Sequence, residues 1–319
     1  MKFLIIGAGG IGCYYGARLI EAGHQVTFVA RGAHLEAMQS QGLKVEHEAL
    51  EFNAAVDARA MQAVMSEHTC SDYDLIMLAL KSGATRDWLE TAAPWLKEAD
   101  TPVLSLQNGV DNEPLIADTL GTSRTLGGLA VRIGGHIIAP GHIEAKGPAQ
   151  VVMGRWPNEN ETDPALEQLA KVLNDAQIPT RLTDNIRYEL WKKLLINNGV
   201  NPLSALTGLD TRSLTADPTL GQTVYAMMQE TAVAARADEV ELTQADVDEM
   251  FALISNFDAI KTSMLVDREK GRPLELDDIS GAVIRRCKAL GETAPNSELV
   301  QRLLQLDIKP EQWRPLGSE

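Results

Sequence analysis

Lys193, Asn197 and Asn201 recur every fourth position in the segment YELWKKLLINNGVNP, residues 188–202. That spacing places all three on one face of a helix. Asparagine is a poor helix former, so two of them in a stripe with a lysine need a reason. The neighbours Leu194, Leu195 and Ile196 are apolar, which argues against a free surface. A polar stripe within a buried helix reads as the wall of a ligand site, offering an ammonium and two amides to a small polar molecule. The bland alternative is a lysine that snorkels to water and asparagines that satisfy loop backbone. Further along, Ser263 is a candidate donor to a carboxylate, and Glu275 a candidate acceptor for a hydroxyl or an ammonium. For Glu275 the competing reading is a first-turn carboxylate favoured by the helix dipole.

A second constellation opens the chain. Gly7-Ala8-Gly9-Gly10-Ile11-Gly12 reads G-x-G-x-x-G between an apolar run, Phe3 to Ile6, and a helical pattern. Gly7 permits the tight turn, Gly9 lets backbone touch a pyrophosphate, and Gly12 lets the helix pack closely on a sheet. Amides at the new helix N-terminus then point at phosphate, with the helix dipole behind them. A strand at Gln25 to Val29 follows, which is the context the motif requires. That strand leads into Ala30-Arg31 in place of an acidic residue, so Arg31 suits a ribose 2′-phosphate and favours NADP(H). A solvated loop arginine is the alternative. Residues 73–80 and 102–106 are continuous apolar runs of the kind found in parallel strands covered on both faces. They end at Lys81 and at Gln107-Asn108-Gly109, where an open α/β sheet places its ligands.

These residues need a sheet and a set of helices to hold them. Strand-like segments also occur at 43–46, 52–56, 126–132, 142–153 and 178–182, with helical patterns at 32–40 and 164–176. A polar stretch, Trp156-Pro157-Asn158-Glu159-Asn160, precedes the second of these. Beyond Asp184 helical patterns dominate, with starts near Asp217-Pro218, Thr243, Leu276 and Ser297. The expected architecture is α/β: a Rossmann dinucleotide-binding domain at 1–182 and an all-helical domain at 183–319. The 319 residues carry a formal charge of −15 with no offsetting basic cluster, which argues against nucleic-acid and anionic-membrane surfaces. Cys13, Cys70 and Cys287 are too few and scattered for a disulfide framework or a metal cluster, and read as buried thiols of a reducing compartment. Met1-Lys2 runs straight into a glycine-interrupted strand, unlike a signal peptide, and no apolar run reaches bilayer-spanning length. A cytoplasmic protein is expected.

Taken together, the motifs resemble the ketopantoate reductases (2-dehydropantoate 2-reductases). The resemblance spans essentially the whole chain. It rests on the GAGGIG start, Arg31, Lys81 and Leu106-Gln107-Asn108-Gly109, and on Trp191-Lys192-Lys193 with Asn197 and Asn201-Pro202. Ser263-Met264 and Glu275-Leu276-Asp277 complete it. It implies an NADPH-dependent reductase whose helical domain is of the 6-phosphogluconate dehydrogenase C-terminal type, making pantoate for pantothenate and coenzyme A synthesis. By the same resemblance Lys193 is the acid that protonates the ketone oxygen. Glu275 holds the substrate hydroxyl near the nicotinamide, and Asn108 lies between nicotinamide and substrate. Asn197, Asn201 and Ser263 orient the 2-oxo acid. Gly7, Ala8, Gly9, Gly10, Ile11 and Gly12 hold the pyrophosphate, Arg31 the 2′-phosphate and Lys81 the cofactor edge, with Ala130 contributing backbone. Physical chemistry agrees with a cation at this point, because hydride addition puts negative charge on oxygen. Where the family usually has Thr-Glu and Ile-Asn-Gly, this chain has Leu274-Glu275 and Ile279-Ser280-Gly281, which bears on which 2-oxo acid fits.

All six histidines lie at or before His142, so a dehydrogenase with a catalytic histidine in its second domain is excluded by inventory. Tyr188-x-x-x-Lys192 matches the short-chain dehydrogenase pattern, but the accompanying glycine spacing and single-domain layout are absent. Two rivals stay open: a sister 2-oxo acid reductase of the same architecture, and a non-catalytic NADP(H) sensor. The sensor has no need of Lys193 and Glu275 together. The partner is expected to be a small 2-oxo acid. Helical second domains often carry dimer contacts, which leaves a homodimer open.

Overall fold

The computed structural model describes residues 1–158, 163–256 and 259–307. Glu159 and Asn160 of the polar stretch, and the last twelve residues of the expected second domain, lie outside them. The chain divides into two compact units, Met1–Leu190 and Trp191–Glu319, with the dividing point inside the helix Ile186–Thr207.

The described residues of the first unit form twelve strands. In chain order they are β1 (Lys2–Ile6), β2 (Gln25–Val29), β3 (Leu43–His47), β4 (Leu50–Ala54), β5 (Asp57–Arg59) and β6 (Leu75–Leu78). They continue as β7 (Val103–Ser105), β8 (Thr125–Val131), β9 (Gly134–Ala139), β10 (His142–Lys146), β11 (Gln150–Arg155) and β12 (Thr180–Leu182). Eight of them form one sheet in the order β12-β11-β8-β7-β6-β1-β2-β5. The run from β5 to β8 is parallel throughout and has the strand order of a dinucleotide-binding fold. On the far side β11 runs antiparallel to β8.

Alternation along β1 explains why this strand is central. Phe3 and Ile5 enter one core with Phe28, Met77 and Leu104. Leu4 and Ile6 enter the other with Ile76, Leu78, Trp88 and Trp95. Both faces are therefore covered, and the strand reads as a continuous apolar run. Residues 43–46 and 52–56 alternate as half-buried strands do, and the strands there, β3 and β4, belong to a separate four-stranded sheet, ordered β4-β3-β10-β9. Strand β9 escaped the sequence reading because it opens on Gly134-Gly135, which signals a turn.

From Ile186 onward every element among the described residues is helical. Aspartates and prolines set two of the starts in the chain. Asp163 accepts from Ala165 N and Leu166 N ahead of Pro164, and Asp217 accepts from Thr219 N and Leu220 N ahead of Pro218. No helix among the described residues is long and apolar enough to cross a membrane.

Candidate active site

The glycine-rich turn leaves β1 and is fastened to β2, because Gly7 N and Ala8 N both donate to Val29 O, at 3.3 and 3.0 Å. Each glycine meets a different demand. Gly7 sits at φ +102°, and a Cβ there would lie 2.7 Å from the Ala79 carbonyl carbon. A Cβ on Gly12 would lie 2.2 Å from Gly7 O, and one on Gly16 would enter the Phe28 ring. Gly9 has open space where its Cβ would be. It stands at the N-cap of the helix Gly10–Glu21 and supplies no capping side chain. The first-turn amides are thus presented as a cradle for an anion, which is what a pyrophosphate needs.

Arg31 follows at the carboxyl end of β2, exposed, at the N-cap of the helix Gly32–Gln41. Lys81, also exposed, follows β6 in the same way. Asn108 follows β7, and Ala130 lies near the carboxyl end of β8. The expected cofactor-side residues therefore gather along one edge of one sheet.

A buried network that the sequence reading did not single out holds two of these loops together. The Gln107 amide donates to Leu80 O (3.1 Å) and Thr85 Oγ1 (2.8 Å), and Thr85 Oγ1 donates to Asn112 Oδ1 (2.7 Å). Asn112 Nδ2 and Ser82 Oγ both donate to the Asn108 carbonyl, at 2.9 and 2.5 Å. Gln107, Thr85, Asn112 and Ser82 are all buried. Gln107 stood next to Asn108 in the strand-end motif, but its side chain reaches 22 positions back to Thr85. No local spacing could announce that contact.

In the second unit the polar stripe lies on one helix as its spacing requires, within Ile186–Thr207. Lys193 and Asn197 are half-buried and Asn201 is buried. Pro202 sits inside the helix without an N–H, so the Asn198 carbonyl loses its usual i+4 donor. Glu275 is 8% exposed, and its carbonyl accepts from Ile279 N (3.1 Å) at the entry to a π-type turn closed by Gly281 N to Leu276 O (2.9 Å). Such turns recur at functional sites.

Fully buried Asn198 joins the two segments. Its amide donates to Thr231 Oγ1 (3.0 Å) and Ser297 Oγ (2.9 Å), and its Oδ1 accepts from Ser280 Oγ (2.9 Å). Ser297 Oγ in turn donates to Glu230 Oε2 at 2.6 Å. Ser263 stands apart from this network, exposed in the first turn of the helix Ser263–Glu269. Among the described residues no group of His, Cys, Asp and Glu could hold a metal ion.

Residues 3–158 match the family profile Ketopantoate reductase PanE/ApbA, and residues 185–307 match Ketopantoate reductase PanE/ApbA C terminal. A 2-dehydropantoate 2-reductase of Pyrococcus abyssi is 30% identical over 304 residues, covering 95% of this chain and 97% of its own. The chain belongs to the ketopantoate reductase family. Among solved structures, the 2-dehydropantoate 2-reductase of Geobacter metallireducens superposes with a TM-score of 0.86 at 29% identity. It covers 97% of this chain and 100% of its own. A D-mandelate dehydrogenase crystallised with NADH and anilino(oxo)acetate also reaches 0.86, at 26% identity, covering 96% and 98%. Ketopantoate reductases are oxidoreductases that use NADPH. The open face of Gly9 and the uncapped helix start fit the pyrophosphate of that cofactor.

Proposed function

We propose that this ketopantoate reductase family member reduces 2-dehydropantoate to (R)-pantoate with NADPH, for pantothenate and coenzyme A synthesis, with Lys193 as the acid. The observation that carries the reading is half-buried Lys193, one helical turn from Asn197 and two from Asn201, on a helix where apolar Leu194, Leu195 and Ile196 adjoin it. NADPH, held by the Gly7 to Gly12 turn and Arg31, would supply the hydride that the carbonyl carbon takes up.

The chain's own residues handle the rest. Lys193 Nζ donates to the ketone oxygen, stabilises the charge that develops there and gives up its proton, so a ketone becomes a secondary alcohol. The Glu275 carboxylate accepts from the substrate hydroxyl. Asn197, Asn201 and Ser263 orient the substrate, Ser263 through its carboxylate. Asn108 borders nicotinamide and substrate, Arg31 pairs with the 2′-phosphate, and Lys81 and Ala130 line the cofactor edge.

The test is Lys193→Ala. Its kcat is expected to fall by about a hundred- to ten-thousand-fold, the usual contribution of a positioned acid, while NADPH affinity stays within about twofold. Full turnover in this variant contradicts the mechanism.

A second reading has a specific observation behind it. The mandelate dehydrogenase neighbour acts on a different carbon skeleton in the same fold, and Leu274 and Ser280 replace the family's usual residues beside Glu275. On that reading the chemistry is unchanged and another 2-oxo acid is the substrate.

A further inference from the structure

The small sheet meets the phosphate-binding turn at two points. The first is backbone on backbone: a Cβ on Gly10 would lie 2.0 Å from the Gly135 carbonyl carbon, so β9 rests directly on the helix start. The second is His34, in the first turn of the helix that follows Arg31. Gly141 N, in the turn between β9 and β10, donates to His34 Nδ1 at 3.0 Å. Accepting there places the imidazole proton on Nε2. That nitrogen lies 3.8 Å from Cys13 Sγ, and the Cys13 thiol donates to the Ala8 carbonyl at 3.3 Å. Gly141 is itself held from the other side, since Lys44 N donates to its carbonyl at 2.8 Å. One half-buried ring therefore ties together the glycine-rich turn, the Arg31 helix and the small sheet.

We propose that His34, in its neutral form, is a positioning residue for the cofactor cradle, holding the β9–β10 turn and the Arg31 helix against the glycine-rich turn. It acts through Gly141 and Cys13, whose thiol is bonded to the Ala8 carbonyl, and touches neither cofactor nor substrate. The inference rests on the NADP(H) reading above.

Protonation breaks the device, because Nδ1–H and Gly141 N–H are then two donors facing each other. Burial lowers the His34 pKa from the ordinary 6.5. The clasp is accordingly complete above about pH 6.5 and is lost as pH falls through the lowered value. The titratable groups around it are few. Cys13 comes from the helix Gly10–Glu21, and burial pushes its thiol far above its usual range, so it stays neutral. Arg31 and Glu36 belong to His34's own helix, both exposed. His142, next to Gly141 on β10, is paired with Glu46 at 3.4 Å.

The experiment measures the NADPH dissociation constant by nucleotide fluorescence at pH 8 for wild type, His34→Ala and His34→Asn. Asparagine keeps an acceptor near Nδ1. His34→Ala is expected to bind NADPH about tenfold more weakly, the effect of one lost buried hydrogen bond. His34→Asn is expected to restore binding to within about threefold of wild type. Wild-type affinity in His34→Ala, or a His34→Asn as weak as His34→Ala, overturns the inference and leaves the NADP(H) reading intact. A wild type that binds no nucleotide sinks that reading and the inference with it.

Discussion

Gly9 and Gly12 are glycines for different reasons, and substitution separates them. A Cβ on Gly12 would strike Gly7 O and press on Ile5, so Gly12→Ala is expected to cost about 1–3 kcal/mol in urea unfolding. Gly9 has φ −82° and open space, so Gly9→Ala is expected to leave stability within about 0.5 kcal/mol of wild type. Its NADPH affinity should nonetheless fall, because the new methyl stands where the pyrophosphate approaches. Equal loss of stability in both variants contradicts this division. Arg31→Ser is expected to weaken NADPH by about ten- to a hundredfold and NADH hardly at all, since only NADPH offers a 2′-phosphate to the guanidinium. Titration of both nucleotides decides it. The three cysteines are free and buried, and burial raises the Cys287 thiol to about 11. The native protein is therefore expected to resist a disulfide reagent at pH 8, with all three thiols reacting once it is unfolded.

At the scale of elements, the helix Ile186–Thr207 shows what spacing reveals and what it hides. The i, i+4, i+8 pattern exposed the stripe of Lys193, Asn197 and Asn201, because periodicity is local. It said nothing of Asn198, whose partners Thr231, Ser280 and Ser297 lie 33, 82 and 99 positions away. Truncation to Asn198→Ala takes the acceptor from the buried Ser280 hydroxyl, removes the amide donor to Thr231 and Ser297, and leaves a cavity. A loss of about 2–4 kcal/mol is expected in urea unfolding, with weaker substrate binding because Ser280 supports the turn after Glu275. A variant as stable as wild type would show that the network is not a brace. Strand β9 was illegible for a related reason. Gly134-Gly135 looks like a turn locally, and only the contact with Gly10 explains why Gly135 has no side chain.

At the scale of the molecule, strands β1, β6 and β7 were readable from apolar runs that end in Gly, Lys or Gln-Asn, whereas β5, Asp57–Arg59, has no such run. The second sheet was not readable either, because β3 and β10 pair across about a hundred residues. The helical character of the second half followed from its periodicity, while Ser263 and Glu275 were only a candidate donor and acceptor until the resemblance gave them roles. With a formal charge of −15 the overall field disfavours anions, so the proposed cofactor and substrate require local cations, the role proposed for Arg31 and Lys193.

The central claim is that this family member is an NADPH-dependent 2-dehydropantoate reductase. The most direct measurement is the rate of reduced-nicotinamide loss with 2-dehydropantoate, 2-oxoisovalerate, pyruvate and phenylglyoxylate, each with NADPH and with NADH. The account predicts rapid turnover confined to NADPH with 2-dehydropantoate. Preferential turnover of another 2-oxo acid, or tight NADPH binding with no reduction of any of them, contradicts it.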